Sequence, residues 1–226
     1  MYHLHTSCLD RLSAHDFTFI EQVLSKNQQQ RGCLATLLQD PELLPKLLDL
    51  KSMFGAVLKS GSPVQISPEL YFYVLVRRAL LDVGIEEVEL ADYVAATLAT
   101  RAAGHRVPSA KLDHVDLEFT YQVDFLSVME GANDYERFFL EVECGNQFLV
   151  LTGLFPRFLE QRAIRRGAPG VSYYEGVVQS AFIAAGGHPM ADEFALRTLY
   201  PRLAEKFPLM RRALNRLAEE CLFLER

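Results

Sequence analysis

The densest set of metal-ligand side chains lies at the start of the chain, where His3, His5 and Cys8 fall within six residues. Two imidazoles and a thiolate suit a transition metal such as zinc, provided a fourth donor arrives from elsewhere. No second cluster at metal spacing follows, and chain ends are commonly loose. A metal here is therefore the sharper of two readings, the plainer being a terminal segment with no ligand. His114 and Glu118 stand four apart and pair most simply by a hydrogen bond or ion pair. None of the six histidines has Glu three residues before it, so the Glu-x-x-His ligand pairs of di-iron bundles are missing. The H-E-x-x-H motif of metalloproteases is missing too.

Acid–base chemistry has one candidate neighbourhood. Glu141 and Glu143 sit beside Cys144 and Asn146 in the apolar run from Arg137 to Leu151. A carboxylate buried there needs a partner and holds its proton more tightly than usual. The tyrosine pair Tyr173 and Tyr174 lies on a segment rich in small residues, which leaves room either for a ligand or for close helix contact. Glu143, Asn146, Tyr173 and Tyr174 are thus candidate ligand- or partner-binding residues. Arg157, Arg162, Arg165 and Arg166 follow a Gly153-Leu-Phe-Pro156 corner and offer a site for an anion or an acidic partner. The alternative is a solvated helix face. No G-x-S-x-G, no catalytic Cys–His pattern and no phosphate-binding glycine loop occurs. No catalytic residue and no cofactor is assigned, and an enzyme is not favoured.

These residues need elements to carry them, and the elements read as helices. Ser13 with Asp16, Asp40-Pro41-Glu42, Ser67-Pro68-Glu69 and Ser172-x-x-Glu175 are start signals, in which a short polar side chain accepts from a free backbone N–H of the first turn. Leu70, Tyr73, Val74, Val76 and Leu80 recur on one helical side, with Arg77 and Arg78 elsewhere. Leu112, Val115, Phe119, Val123 and Leu126 form a second stripe, opposite Asp113, Asp116, Thr120, Asp124 and Ser127. A last helix is expected from about Pro208. Residues 137–151 also permit a minor β-hairpin about Gly145-Asn146, though the neighbours favour a helix. The expectation is an all-α fold: one domain over 1–226, a bundle or orthogonal array of about ten helices with short loops.

Composition narrows the function. Half of the 226 residues are apolar and 23% are charged, which suits a folded globular chain. Residues after Val150 hold 11 Lys/Arg and 8 Asp/Glu, a balance of +3, so the first 150 carry −9 of the total of −6. That balance does not favour nucleic acid. The four cysteines are scattered, as for reduced thiols. The longest apolar run, Phe148 to Phe155, falls far short of the roughly 20 residues a membrane span needs. No leader is apparent, so a cytoplasmic location with no membrane partner is expected. The function expected is a helical interaction, regulatory or scaffold protein that binds a protein partner or itself. A helical small-ligand sensor is the first alternative. A metal-dependent enzyme using carboxylate and histidine side chains is the second.

Overall fold

The computed structural model describes residues 4, 7–60, 66–102 and 122–222. The described residues contain twelve α-helices and no strand. Internal contacts divide the chain into two compact units, residues 5–105 and residues 106–226 with 1–4.

The first unit opens with a 3-10 turn at Leu9–Arg11. It continues through α1 (Ala14–Leu24), α2 (Gln28–Leu37), α3 (Leu43–Leu48), α4 (Lys51–Ser60), α5 (Pro68–Leu81) and α6 (Val88–Ala102). Two starts follow the sequence signals closely. Ser13 accepts from the Asp16 N–H while Asp16 accepts from the Ser13 N–H, a complete capping box. The other oxygen of Asp16 accepts from the Ser67 N–H at 2.8 Å, and Ser67 caps α5 in turn. One buried carboxylate therefore ties the starts of α1 and α5 together. Its pKa is lowered: burial pushes it up, but the hydrogen bonds from Ser67 and Ser13 outweigh that. Asp40 accepts from the Glu42 N–H at 2.8 Å, but only as a local turn, and α3 starts at Leu43.

α5 and α6 form an antiparallel hairpin. Gly84 has φ +79°, and Ile85 donates to Leu80 O at 2.9 Å behind it, closing α5. The stripe Leu70, Tyr73, Val74, Val76 and Leu80 is buried as its spacing predicts. Arg77 is not placed elsewhere: it is buried too. It forms a two-pronged pair with Asp49, both bonds 2.9 Å, and donates to Glu86 O at 2.8 Å. A buried guanidinium needs several acceptors, and three oxygens supply them.

The second unit holds α7 (Gln122–Met129), α8 (Asp134–Leu154), α9 (Pro156–Arg166), α10 (Val171–Gly187), α11 (Met190–Glu193) and α12 (Leu199–Leu217), then a π turn at Ala218–Leu222. Residues 137–151 lie wholly inside α8, which corrects the β-hairpin alternative. The reason is packing. Phe138, Val142, Gly145 and Leu149 all bury, and Asn133 with Glu136 supplies a capping box that starts the helix. α8 meets α9 at a bend of 94°, because Pro156 cannot continue the ladder.

α8, α10 and α12 pack as the core, with glycine at each close approach. A Cβ on Gly145 would stand 2.8 Å from the Phe182 ring, one on Gly153 2.9 Å from Leu214, and one on Gly186 2.9 Å from Pro201. Aromatic stacking reinforces the layers: Phe148 on Tyr174 at 4.5 Å and Phe182 on Tyr200 at 5.5 Å.

Two prolines strip N–H groups from this core, and each loss is met in the same way. Pro156 cannot donate to Thr152 O, four residues back. The Asn215 side-chain amide donates there instead at 2.8 Å, and to Gly153 O at 2.7 Å. Pro208 lies inside α12 rather than at its start, which corrects that expected boundary. The carbonyl it strips, on Ala204, accepts from the Gln179 amide of α10 at 2.9 Å. With the orphan acceptor satisfied from a neighbouring helix, the helix runs through its proline.

Two further expectations change. α10 begins at Val171 with Gly170 as its cap, so Ser172 lies inside the first turn and forms no capping box. Glu175 is engaged instead by Arg211 of α12. The stripe proposed to bury Val123 and Leu126 turns outward over α7, where Val123 is 61% exposed. Phe125 is the residue that goes in, edge-on to Phe148 at 6.0 Å, and that one aromatic sets the rotation of the helix. Leu112, Val115, Phe119, His114 and Glu118 lie outside the described residues. No single helix among the described residues is long and apolar enough to cross a membrane.

Candidate functional site

Of the proposed metal set, His3 and His5 lie outside the described residues and Cys8 lies within them. The Cys8 side chain is fully buried, and burial pushes its thiol well above the usual range, with the charge of Asp92 adding to the rise. Among the described residues no group of three or more His, Cys, Asp or Glu side chains is placed to hold a metal ion.

The register of α8 against α10 sets where the second group falls. Gly145 faces Phe182, and Phe148 faces Tyr174, so the two helices run antiparallel. Tyr173 precedes Phe182 by nine residues, about 13 Å along the axis. Glu143 lies beyond Gly145 in the other direction. Glu143 is buried, Asn146 half-buried, and Tyr174 buried flat against Phe148, whereas Tyr173 is half exposed and donates from its hydroxyl to Gln122. Tyr173 and Tyr174 meet edge-on. Glu141 holds its proton more tightly than usual through burial, with Arg137 opposing, and the Cys144 thiol is pushed up to about 12 by the same cause. Glu141 shares the side of α8 that carries Gly145 and Phe148, four and seven residues further on.

The arginines also part company. Arg162 is buried with its guanidinium 5.2 Å above the Phe158 ring, a cation–π contact. Arg157 lies 3.7 Å from Glu219. Arg165 and Arg166 are exposed in the last turn of α9, where positive charge complements the helix dipole, and Gly167 at φ +63° ends the helix behind them. Arg211 is committed to Glu175. α9 thus divides its arginines between core and solvent.

The small-residue segment of Tyr173 proves two-sided, and its outward side is the part the sequence does not separate from the inner one. It carries Tyr173, Gly176, Ser180, Ile183, Ala184 and Gly187, all exposed, with Ile183 60% exposed. The opposite face, Val177, Val178, Ala181, Phe182 and Ala185, is core. Only one of the seventeen residues of α10 is charged, Glu175, and Arg211 engages it from the flank. The outward side carries no charge, whereas the solvent side of a surface helix is usually rich in charged residues. Among the described residues nothing approaches within 4 Å of a Cβ built on Gly176 or Gly187, which leaves room there for a close neighbour. Tyr173 joins this face to α7 through Gln122, next to exposed Val123 and Leu126. Compared with protein-family models, with characterised proteins and with solved structures, the chain matches none.

Proposed function

We propose that this protein is a helical interaction scaffold that self-associates by pairing the outward face of α10 with the same face of a second copy. The observation that carries the reading is the uncharged, open α10 face. Charged residues are depleted from interface cores, and a face this free of them is costly to leave in water. Its spacing is self-complementary. In an antiparallel crossing centred on Ser180, Gly176 meets Ala184 of the second copy and the bulky Tyr173 meets Gly187. A two-fold interface asks for this match, since each residue and its counterpart must fit in both senses. Small residues at the crossing let the helix backbones approach closely. A stable dimer covers roughly 800 Å² on each partner, more than one helix face provides. Val123 and Leu126 of α7 extend the surface. A helical bundle with one such face suits the regulatory or adaptor role expected from the sequence.

Sedimentation of the wild type and of Ser180→Arg tests the reading. The wild type sediments as a dimer at micromolar concentration. The arginine weakens association by about 100-fold, near 3 kcal/mol for a charge placed in a desolvated centre. The helical spectrum stays unchanged, because Ser180 is exposed. A wild type that remains monomeric throughout, or a variant that dimerises equally well, contradicts it.

A further inference from the structure

A cavity of about 580 Å³ lies between the last turn of α1 and one side of α2, lined by Glu21, Asn27, Gln28, Arg31, Gly32 and Ala35. Its size falls within the range of small-molecule sites. Gln28, Arg31, Gly32 and Ala35 stand at spacings of three and four, which places them on one side of α2. Two charges of opposite sign share the cavity without pairing. Among the described residues no ion pair joins Glu21 to Arg31. Arg31 donates from Nε to Ser25 Oγ at 3.2 Å, which leaves its two terminal amino groups to other acceptors. Asn27 accepts from the Gln30 N–H with its side-chain oxygen at 2.9 Å, which leaves its amide nitrogen as a donor. Gly32 is a third feature. A glycine inside a helix weakens it relative to alanine. Yet among the described residues nothing approaches within 4 Å of a Cβ built on Gly32, so no packing neighbour there requires it. The room it leaves belongs to the cavity.

The geometry points to a binding site for a free α-amino acid, with its ammonium on Glu21 and its carboxylate on Arg31. A carboxylate and a guanidinium that line one cavity without touching offer each end of a zwitterion a counter-charge. A simple cation or anion would be attracted by one of them and repelled by the other. The planar fork of Arg31 suits a carboxylate in particular. The carboxamides of Asn27 and Gln28 favour a ligand whose side chain is polar, such as glutamine. Asn27, Gln28 and Arg31 are exposed, so solvent screens the charges and the dissociation constant is on the order of 1 mM. The site belongs to the first unit and does not depend on the α10 pairing.

Ligand-observed NMR titration of the full chain tests the site with three probes: L-glutamine, N-acetyl-L-glutamine, which lacks the ammonium, and L-glutaminamide, which lacks the carboxylate. The wild type binds glutamine saturably and each analogue about ten-fold more weakly. Glu21→Gln abolishes the preference for glutamine over the N-acetyl form, and Arg31→Gln abolishes the preference over the amide. Gly32→Leu fills the cavity and weakens glutamine binding by about ten-fold or more. Its thermal unfolding midpoint does not fall, because leucine favours the helix and meets open space. A wild type with no saturable glutamine binding overturns the inference, as do analogues that bind as well as glutamine. Variants that keep the wild-type preferences, or a Gly32→Leu chain that binds glutamine as the wild type does, overturn it too.

Discussion

Replacing Asp49 by alanine lowers the unfolding free energy by about 3 kcal/mol, read from urea or thermal unfolding. Asp49 supplies both carboxylate oxygens to Arg77, whose side chain is 7% exposed. Without them the guanidinium, buried on α5, keeps Glu86 O as its one acceptor among the described residues. An uncompensated buried charge costs more than the intact pair contributes, so the damage exceeds that of an ordinary surface ion pair. The figure sits at the low end of the usual range because the Asp49 side chain is 23% exposed and water can partly replace it. The double variant Asp49→Leu with Arg77→Met recovers most of the loss, because it removes the charge together with its partner. A single variant as stable as the wild type would show that Arg77 finds water in the folded state.

Asn215→Leu is the second large effect, also about 3 kcal/mol. The substitution preserves size but removes the donor that Thr152 O and Gly153 O share at the α8–α9 corner. Pro156 cannot replace it, so two carbonyls are left without that donor, each worth roughly 1–3 kcal/mol when buried. Asn215→Asp separates this cause from packing. It keeps the shape and the Arg211 contact but presents oxygen where nitrogen stood, so it is at least as damaging as leucine. Gln179→Leu acts by the same logic at Ala204 O, with one acceptor and a smaller loss. Equal stability of wild type and Asn215→Leu would mean that the corner satisfies its carbonyls in another way.

These two cases mark the boundary of what the sequence discloses. Helix identity was legible because it depends on local chemistry. Ser13, Ser67 and the 70–80 stripe each act within one or two turns, and the structure places them as their spacing predicts. Pro156 was readable as a corner for the same reason. Pro208 misled, because a helix tolerates an interior proline more readily when the orphaned carbonyl is met, and the Gln179 that meets it is twenty-five positions away in the chain. Arg77 misled in the same way: nothing local announces that Asp49 will arrive beside it. Ser172 and Glu175 spelled a capping box, yet the helix starts earlier and Glu175 turns to Arg211.

The candidate site divides along the same line. Burial of Glu143 and Tyr174 was inferable from apolar surroundings, while the separation of Glu143 from Tyr173 follows only from the α8–α10 register. The α10 face was read as slim packing surface. That holds on the side of Ala181, Ala185 and Gly186, whereas Gly176, Ser180 and Ala184 look outward. The signal that separates the sides was present: positions 173, 176, 180, 184 and 187 are spaced evenly about 180, with no charge among them.

The most direct test of the α10 pairing is disulfide formation by Ser180→Cys in a Cys33→Ser background under mild oxidation. A disulfide requires Cα atoms within about 7 Å of each other, a separation available only at the crossing point of two helices. In an antiparallel pair centred on residue 180, the two copies of position 180 meet there, while the two copies of position 172 stand about 24 Å apart along the axis. The account predicts rapid covalent dimers from Ser180→Cys and none from Ser172→Cys, although both positions are exposed. Equal cross-linking at the two positions, or none at Ser180→Cys, would contradict it.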